Sequence, residues 1–152
     1  MIVAPHTSGW DFLIGVAARG ILRLDIKFLA KKELFKFPLG SYFIWMGGYP
    51  VDRSKSTSLV DFVAEAFNKN DKFLLALTPE GTRALVPKLK TGFYYMALKA
   101  NVPIVMVGFD YGRKEVNLQP PLYPTGSIEE DLEIMLTYFR GIKGKHPEKG
   151  IV

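Results

Sequence analysis

"VPIVMVGFD", residues 102–110, is apolar for almost its whole length and stops at an aspartate. A short apolar run of this kind reads as a buried strand. The residues just before it, 91–100, form a helix by their spacing. Further upstream "KFLLAL" (72–77) has the length of a strand and runs into the turn "TPEGTR". Before that strand, Leu59, Phe62, Val63, Ala66 and Phe67 make the apolar stripe of a helix, with Ser58 as its expected N-cap.

The same alternation continues outward. "MIVA" is a short strand ending at Pro5, and a helix follows from Trp10 with Leu13, Val16, Ala17 and Gly20 on one face. "IKFLA" (26–30) is a second strand. "KKELFKFPLGSYFIWMG" predicts a helix broken around Pro38 and Gly40, and "GGYPVDRSKSTS" a loop. Downstream, "EVNLQPPLYP" is a further strand leading into a proline-rich loop. The last helix opens at Ser127, with Glu130 three residues on as a capping box, and Leu132, Met135, Leu136 and Phe139 face the core. Strands alternating with helices predict an α/β fold: a single domain over residues 1–152, with a mostly parallel, mixed sheet flanked by helices.

Composition narrows the function. The chain has 152 residues, enough to bury roughly 70% of its unfolded surface. Lys and Arg number 20 against 15 Asp and Glu, which favours anionic partners. With no cysteine, thiolate nucleophiles, disulfides and Cys-based metal sites are excluded. No signal peptide is visible. No uninterrupted apolar span reaches the ~18 residues that would predict a transmembrane helix. A cytosol-facing protein is expected.

Three polar clusters fall at turns between these elements: "HTSGWD" after the first strand, "GGYPVDRS" before a helix, and "TPEGTR" after "FLLAL". In α/β folds ligands gather at such strand ends. Two readings of His6 and Asp11 compete. They form a polar turn with a helix cap, or a base and the carboxylate that orients it. Arg53 and Arg83 are either solvated charges or forked donors for a phosphate, and Gly81 either a turn residue or a point of close backbone approach.

Taken together and in order, the clusters resemble the motifs of the glycerolipid acyltransferase family, which includes the lysophosphatidate acyltransferases. They are "HTSGWD" (His6, Asp11), "GGYPVDR" (Gly48, Arg53), "TPEGTR" (Glu80, Gly81, Thr82, Arg83) and "VPIVMV" (Val102, Pro103, Ile104). The resemblance covers residue 5 to about 110 and departs from the family pattern at Pro5, Thr78, Ala84 and Met106. It implies acyl transfer from acyl-CoA or acyl-carrier protein to the hydroxyl of a lysophospholipid. His6 would be general base and Asp11 its orienter. Arg53, Glu80, Gly81, Thr82 and Arg83 would form the acceptor site, with Glu80 on a hydroxyl or holding an arginine. No metal and no cofactor beyond the acyl donor is implied. Members usually carry chain before the His motif, so an abbreviated form is expected here.

A lysophospholipid is delivered from a bilayer. Tyr42, Phe43, Ile44, Trp45 and Met46 are either an interfacial patch, placing the protein on the inner face of a membrane, or core. An esterase or thioesterase and a non-catalytic binder of anionic lipid or phosphate remain the alternatives. No G-x-S-x-G elbow or nucleic-acid motif is present, so a nucleic-acid partner is not expected. His146 lies in the polar tail "KGKHPEKG", which reads as a solvated end.

Overall fold

The computed structural model describes residues 1–51, 56–80 and 89–151. In chain order the elements are β1 (Ile2–Val3), α1 (Trp10–Leu22), β2 (Ile26–Lys31), a 3-10 turn (Lys32–Phe35), α2 (Gly40–Trp45) and β3 (Gly48–Val51). They continue with α3 (Ser56–Lys69), β4 (Leu74–Leu77), α4 (Gly92–Ala100), β5 (Val105–Asp110), β6 (Glu115–Leu118), α5 (Ile128–Arg140) and a 3-10 turn (Pro147–Lys149).

The strands form one sheet in the order β3-β2-β4-β1-β5-β6. All neighbours are parallel except β5 and β6, whose tight connection makes them antiparallel. This is the mostly parallel, mixed sheet that the sequence predicts. The two-residue β1 sits in its middle, with Ile2 opposite Ala76 of β4 on one side and Val105 of β5 on the other.

The two faces of the sheet are covered differently. On one, Val3, Leu75, Ile104 and Met106 meet Val63 of α3, Phe93, Tyr94 and Ala97 of α4, and Met135 and Phe139 of α5 to make the core. Alternate residues point the other way. There Ile2, Ile26, Phe28, Ala76, Val107 and Phe109 face α1 across an apolar groove of about 200 Å³. Phe12 packs edge-on to Phe28 at 5.3 Å.

Four local expectations change. The residues 48–51 expected in a loop are the edge strand β3, where the missing N–H of Pro50 is tolerated because one side of the strand has no partner to lose. Helix α3 starts at Ser56, so Ser58 is in its first turn rather than at its cap. In α1, Leu13, Ala17 and Gly20 are exposed, and it is Phe12, Gly15, Val16 and Leu22 that line the groove. At α5 the Ser127 side chain makes no capping bond. The carboxylate of Asp131 instead accepts from the Thr125 amide at 2.8 Å and the Tyr94 hydroxyl at 2.7 Å.

Candidate active site

His6, Asp11, Glu80 and Tyr111 converge because β4, β1 and β5 are adjacent and parallel. Their chain-terminal ends leave the sheet on the same edge, where α/β folds place their ligands. The bond from the Ala4 amide to the Leu77 carbonyl, 3.1 Å, carries the β1–β4 pairing past the strand ends. Two residues further, the His6 amide donates to Glu80 Oε2 at 3.2 Å.

Asp11 is 3% exposed in the first turn of α1, and its carboxylate reaches back along the chain. Oδ2 accepts from the Thr7 and Ser8 amides at 2.8 and 2.9 Å, and Oδ1 accepts from the Tyr111 hydroxyl at 2.6 Å. These bonds satisfy a buried charge that would otherwise be costly. They also tie "HTSGWD" into a closed turn, completed by the Trp10 amide donating to Ser8 Oγ at 3.1 Å. Burial pushes the Tyr111 phenol well above its usual range, and its bond to Asp11 adds to the shift.

The carboxylate that stands beside the imidazole is that of Glu80. His6 Nδ1 is 3.9 Å from Glu80 Oε2, with side chains 19% and 3% exposed. His6 Nδ1 and Glu80 Oε1 are both buried and have no hydrogen-bond partner among the described residues. Asp11 and His6 share no hydrogen bond or ion pair among the described residues.

One end of the apolar groove is walled by His6, Asp11 and Thr78, the other by Leu22, Leu24, Lys27 and Met46. Helix α1 runs its length, about 20 Å for thirteen residues. Arg53, Gly81, Thr82 and Arg83 lie outside the described residues, as does Ala84. Pro79, just before Glu80, is fully buried. Among the described residues no three His, Asp or Glu side chains gather as a metal-binding group.

Two parts of the site were not predicted. Tyr111 follows a strand end directly, and that position was its only signal. The tail, read as solvated, packs on the turn: the His146 amide donates to Thr7 Oγ1 at 3.2 Å and the Tyr111 amide to the Lys143 carbonyl at 2.8 Å. Lys145 Nζ lies 4.6 Å over the Trp10 ring.

An imidazole and two buried carboxylates thus gather at the strand ends of an α/β sheet, and His6 and Asp11 among them line the apolar groove. A family model described as Acyltransferase matches residues 1–110, and the chain belongs to that family. The chain is 30% identical over 123 residues to the 1-acyl-sn-glycerol-3-phosphate acyltransferase of Escherichia coli, covering 76% of this chain and 49% of that one. The enzyme of the same name from Salmonella typhimurium matches at 30% over 124 residues, with the same coverage. The chain thus spans about half the length of the curated relatives it matches. Among solved structures, the 1-acyl-sn-glycerophosphate acyltransferase of Thermotoga maritima shares the fold, with a TM-score of 0.57 and 24% identity over 88% of this chain and 59% of that one.

Proposed function

We propose that the chain transfers a fatty acyl group from the thioester of acyl-CoA or acyl-carrier protein to the hydroxyl of a 1-acyl-glycerol-3-phosphate-like lysophospholipid. The observation that carries this reading is the apolar groove that ends at His6. An acyl chain lying under α1 has its carbonyl at the strand ends, beside the imidazole. His6 takes the proton of the acceptor hydroxyl as the oxygen attacks the thioester carbonyl. The C–O bond forms, the C–S bond breaks, and the proton passes to the departing thiolate. Asp11 fixes the turn that carries His6. Arg53, Gly81, Thr82 and Arg83 are proposed to hold the phosphate of the acceptor, forked guanidinium donors being suited to it.

Peripheral contact with the inner face of a membrane belongs to the same reading. Phe37 is 98% and Trp45 77% exposed, and Leu39, Tyr42 and Ile44 are exposed beside them. Phe43 and Met46 of the same run are half-buried, and Met46 lines the far end of the groove. An apolar patch with amphipathic rings next to an acyl groove suits a lipid surface. No helix among the described residues is long and apolar enough to cross a membrane.

The test is thiol release from a long-chain acyl-CoA, or from acyl-carrier protein, in the presence of a panel of lysophospholipids. Acceptor-dependent release that falls about 100- to 10,000-fold in a folded His6→Ala variant is the expected result. Release without acceptor would make the protein a thioesterase. No release with either donor would favour a lipid binder.

A further inference from the structure

The Asp11 carboxylate closes a circuit of hydrogen bonds that runs out through the C-terminal tail and back. Oδ1 accepts from the Tyr111 hydroxyl at 2.6 Å, and the Tyr111 amide donates to the Lys143 carbonyl at 2.8 Å. Further along the tail the His146 amide donates to Thr7 Oγ1 at 3.2 Å, and the Thr7 amide returns to Asp11 Oδ2 at 2.8 Å. Both oxygens of one buried carboxylate are thus gripped, with the Ser8 amide also on Oδ2 at 2.9 Å. The fit is close where the tail crosses the turn. A Cβ on Gly144 would lie 2.8 Å from Thr7 Cγ2 and Oγ1, so glycine is what lets the tail come this near. Between tail and turn there remains a cavity of about 30 Å³, with Thr7, Asp11, Ile142 and Gly144 in its lining. Burial, and then Asp11, hold the Tyr111 phenol well above its usual range, so it stays a donor to the carboxylate at neutral and mildly alkaline pH.

We propose that Tyr111 is a positioning residue for acyl transfer, acting through Asp11, and that residues 143–146 are the brace that holds it there. Asp11 fixes the turn that carries His6. A carboxylate held at one oxygen alone can swing about its Cβ–Cγ bond and let that turn shift. The Tyr111 hydroxyl on the other oxygen stops the rotation. Asp11 lines the groove, whereas Tyr111 is not among the described residues that do, so its effect on a substrate passes through the carboxylate. No proton leaves the Tyr111 hydroxyl during turnover; what it sets is where His6 stands. Tyr111 and the brace lie beyond residue 110, outside the motifs of the family. The role in turnover rests on the acyl-transfer reading, and the brace itself does not.

The brace is tested first, without substrate. The chain has seven tyrosines, and ¹³Cζ-tyrosine labelling of the full chain reads the exchange of each hydroxyl proton in mixed light and heavy water. Tyr111 is assigned by its loss in Tyr111→Phe. Its hydroxyl should exchange about 10-fold or more slowly than those of the exposed Tyr42 and Tyr123. Thr7→Val, which removes the acceptor of the His146 amide, should speed that exchange, and Thr7→Ser, which keeps the oxygen, should not. A Tyr111 hydroxyl that exchanges as fast as the exposed ones would overturn the proposal, whatever the variants do.

Turnover then tests the role, with a long-chain acyl-CoA or acyl-carrier protein, a lysophospholipid acceptor, and variants whose melting lies well above the assay temperature. Tyr111→Phe should lower kcat about 10- to 100-fold while KM for either substrate moves less than about 2-fold, the signature of a misplaced base. Gly144→Val should lower kcat in the same sense by pushing the brace off Thr7. In an Asp11→Ala background Tyr111→Phe should cost less than about 2-fold, because groups acting as a unit are not additive. A raised KM with kcat unchanged would put the hydroxyl on a substrate, and equal losses in both backgrounds would make Tyr111 independent of Asp11; either result overturns the proposal. Should Asp11→Ala not fold, the split between kcat and KM in Tyr111→Phe decides. No transfer by the wild type would overturn the acyltransferase reading and the role in turnover with it, whereas fast hydroxyl exchange in an active enzyme would overturn the brace alone.

Discussion

Asp131 illustrates how much a single buried carboxylate can organise. At 2% exposure it accepts from the Thr125 amide and hydroxyl and from Tyr94, joining the start of α5 to α4. Burial alone would raise its pKa, but the bonds from the Thr125 amide, Tyr94 and the Thr125 hydroxyl prevail and hold it below the usual carboxylate range. A depressed folded-state pKa stabilises the fold above the unfolded-state value, about 3.9 for Asp, and that contribution disappears as pH falls through the folded value. Asp131→Asn should therefore lose ~1–3 kcal/mol at pH 7. In urea titrations at several pH values its deficit should shrink below about pH 4; a constant deficit would contradict the assignment. At this scale H-x4-D and P-E-G-T-R stood out in the sequence as unusual sets of side chains, and His6, Asp11 and Glu80 of those sets do gather at the strand ends. Their partners were hidden. That Glu80 faces the imidazole and Tyr111 faces Asp11 depends on β4 and β5 flanking β1, and no spacing within a single turn contains that information.

The connection between α2 and β3 depends on one glycine. Gly47 has φ +92°, and a Cβ there would lie 2.6 Å from the Ile26 carbonyl oxygen and 2.9 Å from Arg19 Nη1. Its own carbonyl accepts from the Phe28 amide at 2.9 Å, the first bond between β2 and the segment entering β3. Gly20 is the opposite case, exposed in the body of α1 with nothing within 4 Å of a built Cβ. Gly47→Ala should destabilise by ~1–2 kcal/mol or more, and Gly20→Ala should stabilise by up to ~1 kcal/mol. Thermal melts of the two variants against wild type would test the contrast; equal shifts would refute it. Element type was legible wherever periodicity was long, as in α3, α4, α5 and β5. The edge strand β3 was not, because "GGYP" carries turn residues and its strand character comes from pairing with β2. The face of α1 was misread for a related reason. Both of its sides are apolar, so composition could not say which one the sheet would cover.

For the molecule as a whole, the unequal covering of the two sheet faces is the feature on which the proposed function rests. Helices α3, α4 and α5 close one face into a core, while α1 lies over the other and leaves the groove. The turn before α2 and α2 itself bring Phe37 and Trp45 out near Met46 at the groove's far end. If these rings meet a bilayer, Phe37→Ser and Trp45→Ser should each weaken co-sedimentation with anionic vesicles about tenfold or more, since burying one large apolar side chain is worth ~1.5–3 kcal/mol. Stability should barely change, as both side chains are exposed. Unaltered sedimentation would remove the patch from the membrane reading. The alternation of strands and helices in the sequence was enough to predict the α/β sheet, but not the groove, whose lining comes from α1 and five strands brought together by the strand order.

The short central strand has a consequence for how the protein comes into being. His6 and Glu80 are 74 positions apart, and Asp11 and Tyr111 are 100 apart. Contacts between such distant parts of a chain are the slow ones to form. A nascent or refolding molecule can hold its helices and most of its sheet while β1 is still waiting for both neighbours. In that condition the histidine lacks its carboxylate neighbour, and Asp11 lacks the Tyr111 hydroxyl. The polar cluster at the strand ends is therefore complete only once β1 has found both of its neighbours.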